Sequence, residues 1–170
     1  MKRNIALIGM MGCGKTTIAK ELGKILPEYK LIDIDEEIEE SSGKKISDIF
    51  LKFGESHFRL LESNKIKSVF SEENQIIALG GGAFENPLNR EIILENAKVI
   101  YLKTSSKEIF NRIKNEFHRP LLSKNNSEQR ISEIIEKREP NYLKADIIII
   151  TDNKTPEEIS KEILEVLESD

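Results

Sequence analysis

Residues 9–17 read GMMGCGKTT, between the apolar run IALI and the segment IAKELGKIL, whose apolar residues recur at helical spacing. The spacing Gly9-x-x-x-x-Gly14-Lys15-Thr16 completes a phosphate-binding loop pattern, with the strand before it and the helix after it that the pattern requires. Nothing else in the chain restricts its fold as strongly. Glycines let successive backbone N–H groups turn inward onto phosphate oxygens, and the positive end of the following helix points at the same charge. In that geometry Lys15 reaches the β and γ phosphates of a nucleoside triphosphate, and the Thr16 hydroxyl is a ligand for Mg²⁺. Cys13 stands at a variable loop position where a small residue suffices. Its place beside Lys15 and a helix N-terminus leaves it open to alkylation as an incidental reactivity.

Short apolar runs alternate with helical patterns along the rest of the chain. Segments 4–9, 30–35, 75–81, 98–103 and 146–151 have the character of strands buried on both faces, and segments 15–26, 56–70, 105–114, 127–142 and 156–167 that of helices. This order predicts an α/β fold, a five-stranded parallel sheet flanked by helices and joined by right-handed crossovers, with ligands bound at the strand carboxyl ends. Ser56, Ser127 and Thr155, the last followed by Pro156-Glu157-Glu158, have the chemistry of helix N-caps. The final helix places Ile159, Ile163 and Val166 or Leu167 on one stripe, which is core packing. Segment 115–129 is polar, broken by Pro120 and too long for a simple connection, so it is a disordered loop or a lid.

With no interdomain linker, the 170 residues are expected to form one domain. A net charge of −4 with interspersed basic residues argues against a nucleic-acid partner. The absence of a long apolar run or a signal-peptide pattern argues against a membrane, and a single cysteine suits a reducing compartment, so a cytoplasmic protein is expected.

Phosphate-binding loops serve switches, motors, transporters and kinases, so the acceptor side must discriminate. The stretch DID (33–35) closes the second strand and sets Asp33 and Asp35 on one face at period two, one carboxylate for the metal and one for a hydroxyl; a cap on the next helix is the alternative for Asp35. FRLLE (58–62) spaces Arg59 and Glu62 to pair on a helix, as many surface pairs do. GGG (80–82) lets backbone N–H groups approach a ligand closely, or makes a tight turn. RPLL (119–122) and KREPNY (137–142) carry Arg119 and Arg138, each of which alone reads equally well as a solvated charge.

Taken together, GMMGCGKTT, DID, GESHFRLLE, GGG, RPLL and REPNY occur in the order and approximate spacing of one family: the chain resembles shikimate kinases from its first strand to its last helix. The resemblance implies ATP-dependent phosphorylation of the 3-hydroxyl of shikimate, on a nucleoside-monophosphate-kinase-like P-loop fold with a mobile lid at about residues 112–126. It implies ATP and shikimate as ligands, Mg²⁺ as cofactor and a monomeric enzyme. Gly12, Cys13, Gly14, Lys15, Thr16 and Thr17 then match the ATP phosphate site, Arg112 a position that stacks on adenine, and Arg119 the lid arginine near the transferring phosphate. Thr16 and, through water, Asp33 match the magnesium site. Asp35 matches the substrate-hydroxyl ligand and base, and Arg59, Gly81 and Arg138 the shikimate site, where two arginines grip the carboxylate. Planar guanidinium forks suit that task. Leu79 departs from the small hydroxyl residue common before the glycines, and Cys13 replaces a commoner serine or alanine. Asp152, Asn153 and Lys154 map only loosely on the adenine region, and His57 and His118 match no catalytic position and read as surface residues. A gluconate or nucleoside-monophosphate kinase, or a nonenzymatic ATP-binding module, are the rival readings.

Overall fold

The alternation of side chains along β1 (Asn4–Ile8) divides the molecule into two cores. Ile5 and Leu7 pack with Ile18 and Leu22 of α1 (Lys15–Ile25) and with Ile159 and Ile163 of α7 (Pro156–Ser169). Ala6 and Ile8 face the other way, toward Ile38 of α2 (Ile34–Ser42), Phe58 and Ile66 of α3 (Ile46–Val69) and Ile93 of α4 (Pro87–Asn96). The computed structural model describes residues 4–114 and 128–169. Its remaining elements are β2 (Lys30–Asp33), β3 (Gln75–Ala78), a 3-10 turn (Ala83–Glu85), β4 (Ala97–Lys103), α5 (Ser106–Ile113), α6 (Glu128–Tyr142) and β5 (Ile147–Ile150).

The strands form one parallel sheet in the order β2-β3-β1-β4-β5, with Ile5 beside Ile76 and Lys98 in register. The expected fold class is therefore the observed one. Burial on both faces holds for the inner strands but not for the edges, where Leu31 of β2 and Ile148 and Ile150 of β5 are exposed. At the carboxyl ends of β1, β2 and β3 the chain leaves the sheet as the phosphate-binding loop, the DID stretch and the triple glycine, so all three motifs open on one edge.

Several boundaries differ from the expectation. The second strand stops at Asp33, and Asp35 lies in the first turn of α2 instead of sharing a strand face with it. Asp33 is itself the N-cap: its Oδ1 accepts from the N–H of Asp35 at 3.0 Å and of Glu36 at 3.3 Å, satisfying amides that a helix start leaves open. The cap considered for Asp35 thus belongs to Asp33. Ser56 is not a cap either, because α3 already begins at Ile46 and is broken at Gly54, whose φ of 81° and ψ of 170° are open essentially to glycine alone. Beyond this break the helix turns Phe58 inward and Arg59 toward the triple glycine. Thr155 is a cap as expected. Its N–H donates to Glu158 Oε2 and its Oγ1 accepts from the Glu158 N–H, a reciprocal capping box. Ser127 lies outside the described residues, as does most of the expected lid, whose first residues, Arg112 and Ile113, belong to α5.

The same substitution should act in opposite directions at two glycines. Gly54→Ala forces a Cβ into a strained conformation and should lower the unfolding free energy by about 1 to 3 kcal/mol. Gly23→Ala, inside α1 with open space around the new methyl, should raise it by roughly 0.5 to 1 kcal/mol. Urea denaturation of both variants checks the pair; a stable Gly54→Ala protein would show that the break in α3 tolerates an ordinary residue.

Candidate active site

The loop after β1 packs on its own sheet before it meets any ligand. Cys13 is fully buried, its N–H donates to Met10 O at 3.2 Å, and its sulfur lies 2.9 Å from where a Cβ on Gly9 would stand. Cys13 is thus a packing residue, and burial withdraws the alkylation expected of it. A methyl on Gly12 would meet Ile113 Cγ2 at 2.7 Å, so the loop and α5 can touch only because this position carries no side chain. Lys15 Nζ folds back to donate to Gly9 O and Met10 O, each at 3.0 Å. Thr16 Oγ1 donates to Asp33 Oδ2 at 2.6 Å, which brings a hydroxyl and a carboxylate together at the start of α1. Oxygen donors of this kind suit Mg²⁺, which commonly takes one or two protein oxygens and completes its shell with phosphate and water. Thr16 and Asp33 are the residues that could hold it.

Arg112 is anchored in α5 by Glu108 at 3.0 Å and donates to Cys13 O at 3.1 Å, which keeps its guanidinium against the loop. It shares a cleft of about 440 Å³ with Gly12 through Thr17, Asp33, Asp35, Gly80 and Gly81. Lys154, Pro156 and Ile159 also line this cleft. Pro156 and Ile159 had no signal beyond their place in an ordinary amphipathic helix, and Lys154 stood only in a loosely matched stretch. Leu79, the departure before the glycines, is buried and belongs to the core.

The triple glycine does more than admit a ligand to the backbone. A methyl on Gly80 would sit 2.7 Å from Glu62 Oε1 and 3.1 Å from Asp35 Oδ1, and one on Gly82 within 2.6 to 2.9 Å of three guanidinium atoms of Arg59. A methyl on Gly81 would lie 3.1 Å from Met11 N. Each glycine therefore lets a different group of the site close onto the turn. Arg59 Nη1 donates to Glu62 Oε2 at 2.8 Å and its Nη2 reaches Glu55 at 3.3 Å. Arg138 Nη1 donates to Gly81 O at 3.0 Å. These contacts bring Arg59 and Arg138 to adjacent glycines, with Asp35 nearby, while His57 stacks on Phe53 at the surface, away from the cleft. Arg119 and His118 lie outside the described residues.

Glu62 paired with Arg59 in the sequence but had no assigned role. It is 1% exposed, and its Oε1 has no hydrogen-bond partner among the described residues. Burial pushes its carboxyl above the ordinary range, Asp35 adds to that push, and Arg59 and Arg138 only partly oppose it. Glu62 and Glu55 together hold the Arg59 guanidinium above its usual value, against the cost of its own burial. The result is a cation fixed beside Gly82 by a carboxylate that solvent scarcely reaches.

The shikimate kinase family model matches residues 11–168 of the chain. Shikimate kinase of Thermodesulfovibrio yellowstonii is 42% identical over 98% of this chain and 95% of its own length, and that of Persephonella marina is 44% identical over 95% and 97%. Among solved structures, shikimate kinase from Acinetobacter baumannii in complex with shikimate superposes with a TM-score of 0.94 at 34% identity, covering 98% of this chain and 93% of that one.

The state of Glu62 predicts a pH signature. A native carboxyl whose pKa is raised binds its proton more tightly than the unfolded one, so its contribution favours the fold below the ordinary value of 4.5 and declines as pH climbs through the native pKa. The unfolding free energy of Glu62→Gln should therefore gain on that of the wild type as pH rises from about 4.5 toward neutrality. Denaturant titrations of both proteins across that range measure the difference; a constant difference would mean that Glu62 keeps ordinary acidity.

Proposed function

The chain belongs to the shikimate kinase family, and from that premise we propose that it transfers the γ-phosphoryl group of ATP to the 3-hydroxyl of shikimate, giving ADP and shikimate 3-phosphate on the route to chorismate and the aromatic amino acids. The observation that carries this assignment is the convergence, on the carboxyl edge of one sheet, of a complete phosphate-binding loop with Asp35, Arg59 and Arg138 around a triple glycine.

ATP lays its phosphates along Gly12, Cys13, Gly14, Lys15, Thr16 and Thr17, with the adenine against Arg112. Mg²⁺, when bound, neutralises charge on the transferring phosphates, and Thr16 and, through water, Asp33 are the residues that would hold it. Arg59 and Arg138 grip the shikimate carboxylate and Gly81 borders the ring, leaving the 3-hydroxyl to Asp35. Asp35 orients that hydroxyl and takes its proton as the oxygen bonds to the γ phosphorus and the bond to the ADP oxygen breaks. Such a loose transition state asks the protein mainly for position and charge. Lys15 supplies charge from the loop, and Arg119 from a lid over residues 115–126 that closes to exclude water. A single catalytic domain, monomeric and cytoplasmic, completes the assignment. The lone cysteine, which can form no internal disulfide, supports a reducing compartment.

Shikimate, and neither gluconate nor AMP, should accelerate Mg²⁺-dependent ADP release. Equal or greater turnover with either competitor would overturn the acceptor assignment.

The two carboxylates of DID should fail differently when made amides. Asp33→Asn keeps a residue that caps α2 equally well but weakens the metal contact, so its kcat should recover substantially as Mg²⁺ is raised. Asp35→Asn removes the acceptor of the hydroxyl proton and should lose about 10²-fold to 10⁴-fold in kcat at every Mg²⁺ concentration. Steady-state kcat across a Mg²⁺ titration decides it: rescue of Asp35→Asn, or none for Asp33→Asn, would exchange their roles.

A further inference from the structure

Gly81 is held from two sides by the same helix. Its carbonyl accepts from Arg138 Nη1 at 3.0 Å and from the Tyr142 hydroxyl at 2.5 Å. Arg138 and Tyr142 are one helical turn apart on α6 and so share a face, and both reach across to the turn after β3. The same Arg138 nitrogen lies 3.8 Å from Met10 Sδ in the phosphate-binding loop. Tyr142 is 1% exposed, and its ring rests against Tyr101 with centroids 5.0 Å apart. Burial lifts its phenol to about 12, with the neighbouring Arg138 pulling the other way, so the hydroxyl remains a neutral donor wherever an enzyme would be assayed.

A carbonyl has two lone pairs, and here each has a donor from α6. The peptide linking Gly81 to Gly82 has no flanking side chain to restrain it, so its orientation depends on what its carbonyl is bonded to. No cis peptide occurs among the described residues, and a trans peptide aims its C=O and N–H oppositely. Fixing Gly81 O against α6 therefore turns the Gly82 N–H away from it. Without the phenol, Arg138 would be the one donor of the pair left on that carbonyl, and the peptide could rotate and carry the guanidinium with it.

We propose that Tyr142 is a positioning residue for the acceptor site, which sets the Gly81–Gly82 peptide and, through their shared carbonyl, the Arg138 guanidinium that receives the substrate carboxylate. This rests on the function proposed above, in which Arg138 binds shikimate. Tyr142 touches neither substrate; it decides where the groups that do so stand. A neutral hydrogen bond of this kind contributes about 1 kcal/mol, roughly 5-fold in affinity, so its loss should weaken acceptor binding about 3-fold to 10-fold.

The test is Tyr142→Phe, which keeps the ring in its packing against Tyr101 and deletes only the hydroxyl. Steady-state kinetics with each substrate varied, run beside wild type, and a thermal melt of both proteins supply the readouts. The shikimate KM should rise about 3-fold to 10-fold, with the ATP KM within about 2-fold of wild type. A lower melting temperature with both KM values unchanged would make the hydroxyl a stabilising contact and overturn the inference. Parallel rises in both KM values would do the same, since they report a general disturbance. A wild-type protein that shikimate fails to stimulate would overturn the function and this inference together, whereas an active wild type beside an unaltered Tyr142→Phe overturns the inference alone.

Discussion

The proposed acceptor site depends on three successive positions after β3 that have no side chain. Glu62 and Asp35 approach Gly80, and Arg59 lies over Gly82, nearer than a methyl would allow, while Arg138 and Tyr142 converge on the Gly81 carbonyl and Met11 N stands 3.1 Å from where a methyl on Gly81 would be. Helices α2, α3 and α6 thus meet on a short length of bare backbone. The parallel pairing of β1 with β3 sets that backbone beside the phosphate-binding loop, and Leu79 N–H continues the pairing with a bond to Leu7 O. Sheet register and glycine content between them set the distance from the phosphate-binding loop to the triple glycine.

Burial of Glu62 shows what such crowding costs. A carboxylate removed from water, with one oxygen paired to Arg59 and the other unbonded among the described residues, opposes the fold on its own account. Its compensation is geometric. Arg59 on a solvated tether would sample many rotamers, whereas between Glu62 and Glu55 it is already ordered when a ligand arrives, and little side-chain entropy remains to be lost on binding.

The motifs were legible because each is local. The spacing from Gly9 to Thr16 needs only the strand before it and the helix after it, and the five apolar runs needed only their own composition. The elements that escaped notice had a weaker or overlooked signature. Residues 35–45 are polar apart from Ile38 and hold four glutamates, the alternation IDID continues past the point where the strand ends, and Ile46, Ile49, Phe50 and Phe53 recur at a helical spacing that a helix begun at Ser56 leaves out. What stops the strand at Asp33 is a side-chain bond to the Asp35 and Glu36 amides, which hydrophobic period does not register. Helix α4 starts from Asn86, whose side chain caps Leu88 and Asn89, before a proline that reads as readily as a turn. Tyr142 was visible as a letter of REPNY, but nothing local to residues 137–142 tells of a carbonyl that comes from Gly81 in another part of the chain.

Lys15 spends its ammonium on Gly9 O and Met10 O, with a weaker contact to Cys13 Sγ at 3.7 Å, so the loop is cross-linked by its own cation. Any anion that enters must draw the lysine from two neutral carbonyls, and its affinity reflects the difference between the new bonds and the old ones rather than the new bonds alone. A singly charged ion gains little from that exchange. A polyphosphate, with several oxygens and more charge for the same ammonium, has more to set against the two bonds lost. The two carbonyls are thus part of the free-energy balance of any anion that takes the lysine from them, although neither need touch it.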